Sequence, residues 1–151
     1  MYSSLLPLHS IFRWLVLLMM LTSIYVAYNG WKLKLAFTPL ANSIRHWTAT
    51  LAHIQLMLGM VLYFYSPIVK YSMPVSSRAL MSQHAFFKYL HIAFMLFAIV
   101  VLTVGSAKAK RASTASAQYK TILIWYTVAL ILILIAIPWP FSSLASRPLF
   151  R

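Results

Sequence analysis

The chain of 151 residues contains no Asp and no Glu, against 13 Lys and Arg. An ordinary chain of this length would carry roughly 18 acids. The absence excludes carboxylate general acid–base chemistry, carboxylate metal ligands and internal salt bridges. Each cation must then meet a backbone carbonyl, a lipid phosphate, a bound cofactor or another subunit. Cysteine is absent too, which excludes disulfides, thiolate catalysis and cysteine-held clusters and leaves the redox compartment open. Glycine is scarce at 3 residues. Gly30 and Gly105 fall at the ends of apolar runs, where each suits a helix C-terminus.

What remains is mostly apolar. The hydrophobic fraction is 62%, well above the 45–50% or so of a soluble domain. A net charge of +13 would suggest nucleic acid in a soluble chain. Here the cations flank apolar runs, so anionic lipid headgroups are the expected partner and nucleic acid is not. The first residues lack a positive n-region and a clean small-residue cleavage site, so the first apolar run reads as a retained membrane helix.

A spanning helix needs about 20 mostly apolar residues. Four stretches qualify, at about residues 10–28, 44–66, 86–104 and 121–138. Asn29-Gly30 is expected to close the first and Asn42-Ser43 to cap the second. Pro67 ends the second and Pro138-Trp139-Pro140 ends the fourth. These signals predict an all-α, integral membrane four-helix bundle forming one domain. The Ala/Ser/Lys-rich stretch 106–118 reads as a flexible loop. Trp31, Trp47 and Trp125 fall at one expected interface, and Trp14 and Trp139 at the other, as in an aromatic belt.

One side holds the loops 30–43 and 106–120, with Lys32, Lys34, Arg45, Lys108, Lys110, Arg111 and Lys120. The other holds both termini and the loop 67–83, with Lys70, Arg78, Lys88, Arg147 and Arg151. The positive-inside rule makes the first side cytoplasmic and puts both termini in the periplasm.

Ionisable residues within spans are functional candidates by default. His46 and His53, seven residues apart, share a face of the second helix with Thr50, Met57 and Met60. His84, Lys88 and His91 share a face of the third. Imidazole is almost the only good iron ligand here, so His53 and His91 are the candidate axial pair for a b-type haem. Arg13 or Lys88 would neutralise its propionates. Depth weighs against the pair: the two lie on opposite sides of their span centres, a mismatch of roughly 11 Å. The plainer alternative is that both imidazoles hydrogen-bond across helices.

His9 and Arg13 form an i, i+4 pair at the terminal end of the first helix. A guanidinium there suits a propionate, a quinone carbonyl or a partner's carboxylate, or it reaches lipid phosphate. Arg45-His46-Trp47 reads as an interfacial anchor, with a headgroup or quinone site as the sharper alternative. Gln55 is a mid-span amide on a different face from His53, expected to satisfy a neighbouring helix. The methionines are expected to pack rather than bind copper, and no metal is expected beyond a haem iron. The fourth helix carries no ionisable side chain in its span and is expected to face lipid or form a packing wall.

The segments Leu8-His9-Ser10, Arg13-Trp14, Asn42-Ser43-Ile44-Arg45-His46-Trp47-Thr48-Ala49-Thr50, Ala52-His53-Ile54-Gln55, Gly105-Ser106-Ala107-Lys108-Ala109-Lys110-Arg111 and Pro138-Trp139-Pro140-Phe141 resemble a family of small four-span membrane proteins of Bacteroidota, loosely labelled cytochrome b-like or uncharacterised. The resemblance runs the whole length. It implies a four-helix bundle in the cytoplasmic membrane and carries the haem label with it. The chain departs from the family at Ala41 and Leu90, where members tend to carry an acid. The combined expectation is a haem-binding electron-transfer subunit of a redox membrane complex. The alternative is a non-catalytic accessory subunit without cofactor, beside membrane subunits that supply the missing acids.

Overall fold

A computed structural model of the chain describes residues 2–71, 83–142 and 148. Four long helices dominate: α1 (Tyr2–Lys32), α2 (Pro39–Tyr65), α4 (Gln83–Arg111) and α5 (Ala115–Ala136). A single turn, α3 (Pro67–Lys70), follows α2. All four long helices are long and apolar enough to cross a membrane. They close a ring in which α1 packs on α2 and α5, and α4 packs on α5 and α2, with α4–α5 the most extensive pair. No strand is present among the described residues.

The helix ends differ from the sequence expectation in instructive ways. Asn29-Gly30 does not stop α1. The helix runs to Lys32 and turns at Lys34, which has a left-handed φ of 53°. The Leu35 N–H donates to the Gly30 carbonyl at 3.0 Å and the Lys34 N–H to the Trp31 carbonyl at 3.4 Å, a Schellman-type closure. Asn42-Ser43 does not cap α2 either. Thr38 does, accepting from the Ala41 N–H at 3.2 Å, with Pro39 preset at the first helical position.

The expected flexible loop 106–118 is mostly helix. The Ala, Lys and Arg residues there are good helix formers, so α4 continues to Arg111. Thr114 then starts α5 by accepting from the Ala117 N–H at 3.2 Å. Near its other end, α4 contains a wide π turn over Phe86–His91.

Long apolar side chains such as Leu18, Leu21, Tyr25, Phe97 and Ile131 face outward, where a bilayer would solvate them. Small residues fill the interior seams instead: Ser23, Ala27, Ala98, Ser106, Ala109, Ala129 and Ala136 are all buried. That inversion is what close helix packing in lipid requires. Gly30, in the last turn of α1, and Gly105, inside α4, both belong to these seams. A Cβ on Gly30 would enter the Tyr119 ring, and one on Gly105 would collide with Trp125. The fourth long helix, α5, is a packing wall: Tyr119, Ile122, Tyr126, Ala129 and Ile133 are buried along it.

Candidate functional site

A cavity of about 180 Å³ lies in the half of the bundle that holds the start of α1. All four long helices line it. Its walls are mainly apolar, with Leu56, Met95 and Ile133 among them, and its polar lining includes His9, Arg13, Gln55 and His91. They come from three helices, α1, α2 and α4.

Hydrogen bonding fixes the state of this group. The Gln55 amide nitrogen donates to the His9 carbonyl at 3.0 Å and to His9 Nε2 at 3.3 Å. A reversed amide would set its oxygen against that carbonyl, so the orientation is determined by the backbone. His9 Nε2 is then an acceptor, and Nδ1 carries the hydrogen. Among the described residues, His9 Nδ1 and Gln55 Oε1 are both buried and without a hydrogen-bond partner. His91 Nδ1 donates to the Ala136 carbonyl at 2.8 Å, so Nε2 of the neutral ring presents a lone pair. Phe86 and Phe87 hold this ring, with centroids at 5.9 and 5.7 Å. The Arg13 guanidinium lies over Trp14 at 5.2 Å from the ring centre, and Trp14 meets Trp139 edge-on at 6.2 Å.

The site thus holds a donor, two acceptors and a guanidinium around an apolar void. Sequence reasoning paired His9 with Arg13, set Arg13 with His91 in the haem expectation, and assigned Gln55 to a neighbouring helix, which is α1 at His9. The meeting of His9 and Gln55 with His91 was not foreseen, nor was the part of Gly59. A Cβ there would meet His9 Cε1 at 3.2 Å, so the glycine leaves room for the imidazole against α2. The available signal was a mid-span amide and a glycine four residues apart on one face.

The expected pairing of His53 with His91 is not formed. His53 is exposed on the outer side of the bundle. Its Nδ1 donates to the Ala49 carbonyl at 2.7 Å, and its Nε2 meets Thr103 Oγ1 at 3.1 Å. Thr103 lies twelve residues beyond His91 on the same helix, about 18 Å along the axis. Two imidazoles so far apart do not fit the two faces of one haem. Lys88, expected beside a propionate, lies over Tyr89 at 5.6 Å and does not line the cavity. The π turn between His84 and His91 breaks the expected common face, and His84 instead meets the Ile68 carbonyl at 2.8 Å.

The Arg45-His46-Trp47 segment also separates. His46 and Trp47 are exposed and meet edge-on at 5.8 Å. Arg45 is not an interfacial anchor: it is only 5% exposed. Its Nε and Nη2 donate to Asn42 Oδ1 at 3.1 and 2.8 Å, and Nη1 donates to the Ser106 carbonyl at 3.2 Å and to Ser106 Oγ. Tyr126 donates to the Arg45 carbonyl at 2.8 Å. Because α2 begins at Pro39, Arg45 sits beyond the first turn, where the helix dipole is weak. Close by, Ser23 and Thr48 share a buried hydrogen bond of 2.7 Å. These bonds make this end of the bundle a structural lock between α1, α2, α4 and α5.

Fold and site together define a multi-pass helical membrane protein with an internal polar–apolar seat. No protein-family model, curated protein or solved structure matches the chain.

Proposed function

We propose that this chain is a ligand-binding subunit of a redox membrane assembly, without catalysis of its own. The cavity seats the single-ring polar head of a membrane-soluble molecule. One observation carries the reading: a buried donor, His9 Nδ1, and a buried acceptor, Gln55 Oε1, stand unpaired among the described residues at an apolar void. Buried polar groups are rarely left so, because each costs about 1–3 kcal/mol. A ligand hydroxyl would satisfy Gln55 Oε1, and a second oxygen on the same head would satisfy His9 Nδ1–H.

Size selects the class. An engineered apolar cavity of about 150 Å³ takes a benzene ring. The present 180 Å³ therefore suits one substituted ring and not a porphyrin. Electron-transfer partners, subunits bearing acids and anionic lipids around the loop cations complete this reading. The membrane is the cytoplasmic one, with the termini periplasmic.

The outward His53–Thr103 pair supports the accessory-subunit alternative. A polar pair on a lipid-facing surface is a natural contact for a partner's transmembrane helix.

The test is thermal unfolding of the purified protein in detergent with 4-hexylphenol. Saturation at about 100 times the dissociation constant should stabilise the fold by about 2.7 kcal/mol. Gly59→Val, which pushes the His9 ring into the seat, should abolish the shift. A flat response of the wild type up to the phenol's solubility would sink the proposal.

A further inference from the structure

The pattern of unmet groups says more than that a ring binds. A benzoquinone head offers only acceptors, its two carbonyl oxygens. A hydroquinone head offers a donor and an acceptor at each hydroxyl. The unmet groups are His9 Nδ1–H, a donor, and Gln55 Oε1, an acceptor; His91 Nε2 is a further acceptor among the lining residues. Two neighbouring hydrogen bonds set these roles. The His9 carbonyl holds the Gln55 amide with its oxygen away from α1, and the Ala136 carbonyl takes the His91 Nδ1 hydrogen.

The geometry points to a seat for the reduced head, a hydroquinone, in preference to the oxidised quinone. This rests on the single-ring reading above. One hydroxyl donates to Gln55 Oε1, and the other accepts from His9 Nδ1–H. The second is available to His91 Nε2. An oxidised head has no hydrogen for either acceptor. It leaves Gln55 Oε1, a buried atom, against an oxygen lone pair. A single buried acceptor left unmet is enough for about tenfold weaker binding.

His91 holds its role through position. It stands at the end of the π turn, a feature often found at functional sites. The turn removes His91 from the face carrying His84 and Lys88 and sets it beside the α5 terminus, where the Ala136 carbonyl meets it. The last residues of α5 thereby hold an imidazole of α4 in one tautomer. The bonds concerned are hydrogen bonds only, and the head enters and leaves unchanged.

The test uses duroquinol and duroquinone, a tetramethyl ring pair without a tail, titrated anaerobically against the full-length protein in detergent. The expected result is at least about tenfold tighter binding of duroquinol. The bound couple's midpoint potential should rise correspondingly, by about 30 mV per tenfold for two electrons. Gln55→Met and, separately, His91→Leu should each reduce the preference while leaving the helical circular dichroism unchanged. Equal affinities, or tighter duroquinone, would overturn the inference. With the 4-hexylphenol shift retained, that result leaves the ring seat standing. If neither duroquinol nor duroquinone binds, the inference also falls, and loss of the phenol shift as well would take the seat with it.

Discussion

Arg45 shows what a buried cation does in a chain without carboxylates. Its four hydrogen bonds meet only neutral oxygens, from Asn42 and Ser106, so the guanidinium joins α2 to α4 by geometry and not by charge pairing. The charge itself is then dispensable for stability. Asn42 is exposed and can turn to water or headgroups. The Ser106 hydroxyl can turn to a carbonyl of its own helix. Arg45→Met keeps most of the buried stem and should cost less than about 1 kcal/mol, in line with the near-neutral apolar replacement of many buried ionic groups. Arg45→Ala also leaves a void and should cost about 2–4 kcal/mol. Reversible unfolding in detergent separates the two. Equal large losses would mean that the charge itself is paired, for instance with a lipid phosphate.

Helix separation is set at the glycines of the seams. The Gly105 position lies against Trp125 Cβ, an atom shared by every side chain except glycine. Shortening Trp125 therefore gives no relief, and α4 must move away from α5. Gly105→Ala is expected to cost about 1–3 kcal/mol, the range for overpacking, read as a lowered melting temperature in detergent. Gly30 faces the Tyr119 ring, whose hydroxyl is tied to the Ala36 carbonyl at 3.0 Å, so that ring is not free to swing. Gly59 faces only the edge of the His9 ring at 3.2 Å. Its change to Ala should be mild, below about 1 kcal/mol, and its effect should fall on ligand binding first.

For the whole molecule, orientation is the property that charge decides. Burial withdraws Arg45 from the loop face and leaves Lys32, Lys34, Lys108, Lys110, Arg111 and Lys120 there. On the opposite side Lys70 and Lys88 are described, while Arg78, Arg147 and Arg151 lie outside the described residues. Six cations against five still favours a cytoplasmic loop face. The lack of native cysteine makes the test clean. Ser3→Cys and Ser113→Cys, both at exposed positions, should differ towards a membrane-impermeant maleimide on cells with a permeable outer membrane. Ser3→Cys should label and Ser113→Cys should not; the reverse pattern would invert the topology.

Composition by itself determined the four spans, the all-α class and the membrane as solvent, because the length and polarity of an apolar run depend on nothing outside it. It also marked His9, Arg13 and His91 as residues with a reason to be where they are. Only the tertiary structure decided which of them meet. The caps moved to Thr38 and Thr114, and the glycines became contact points, because neighbouring helices set those needs. His53 and His91, reasonable partners by residue type, do not meet: His53 meets Thr103, about 18 Å along α4 from His91. His9, Gln55 and His91 converge because a π turn and the absent side chain of Gly59 admit them to one void. Side-chain chemistry is local and legible in a sequence, whereas rotation and depth between helices depend on packing across the whole bundle.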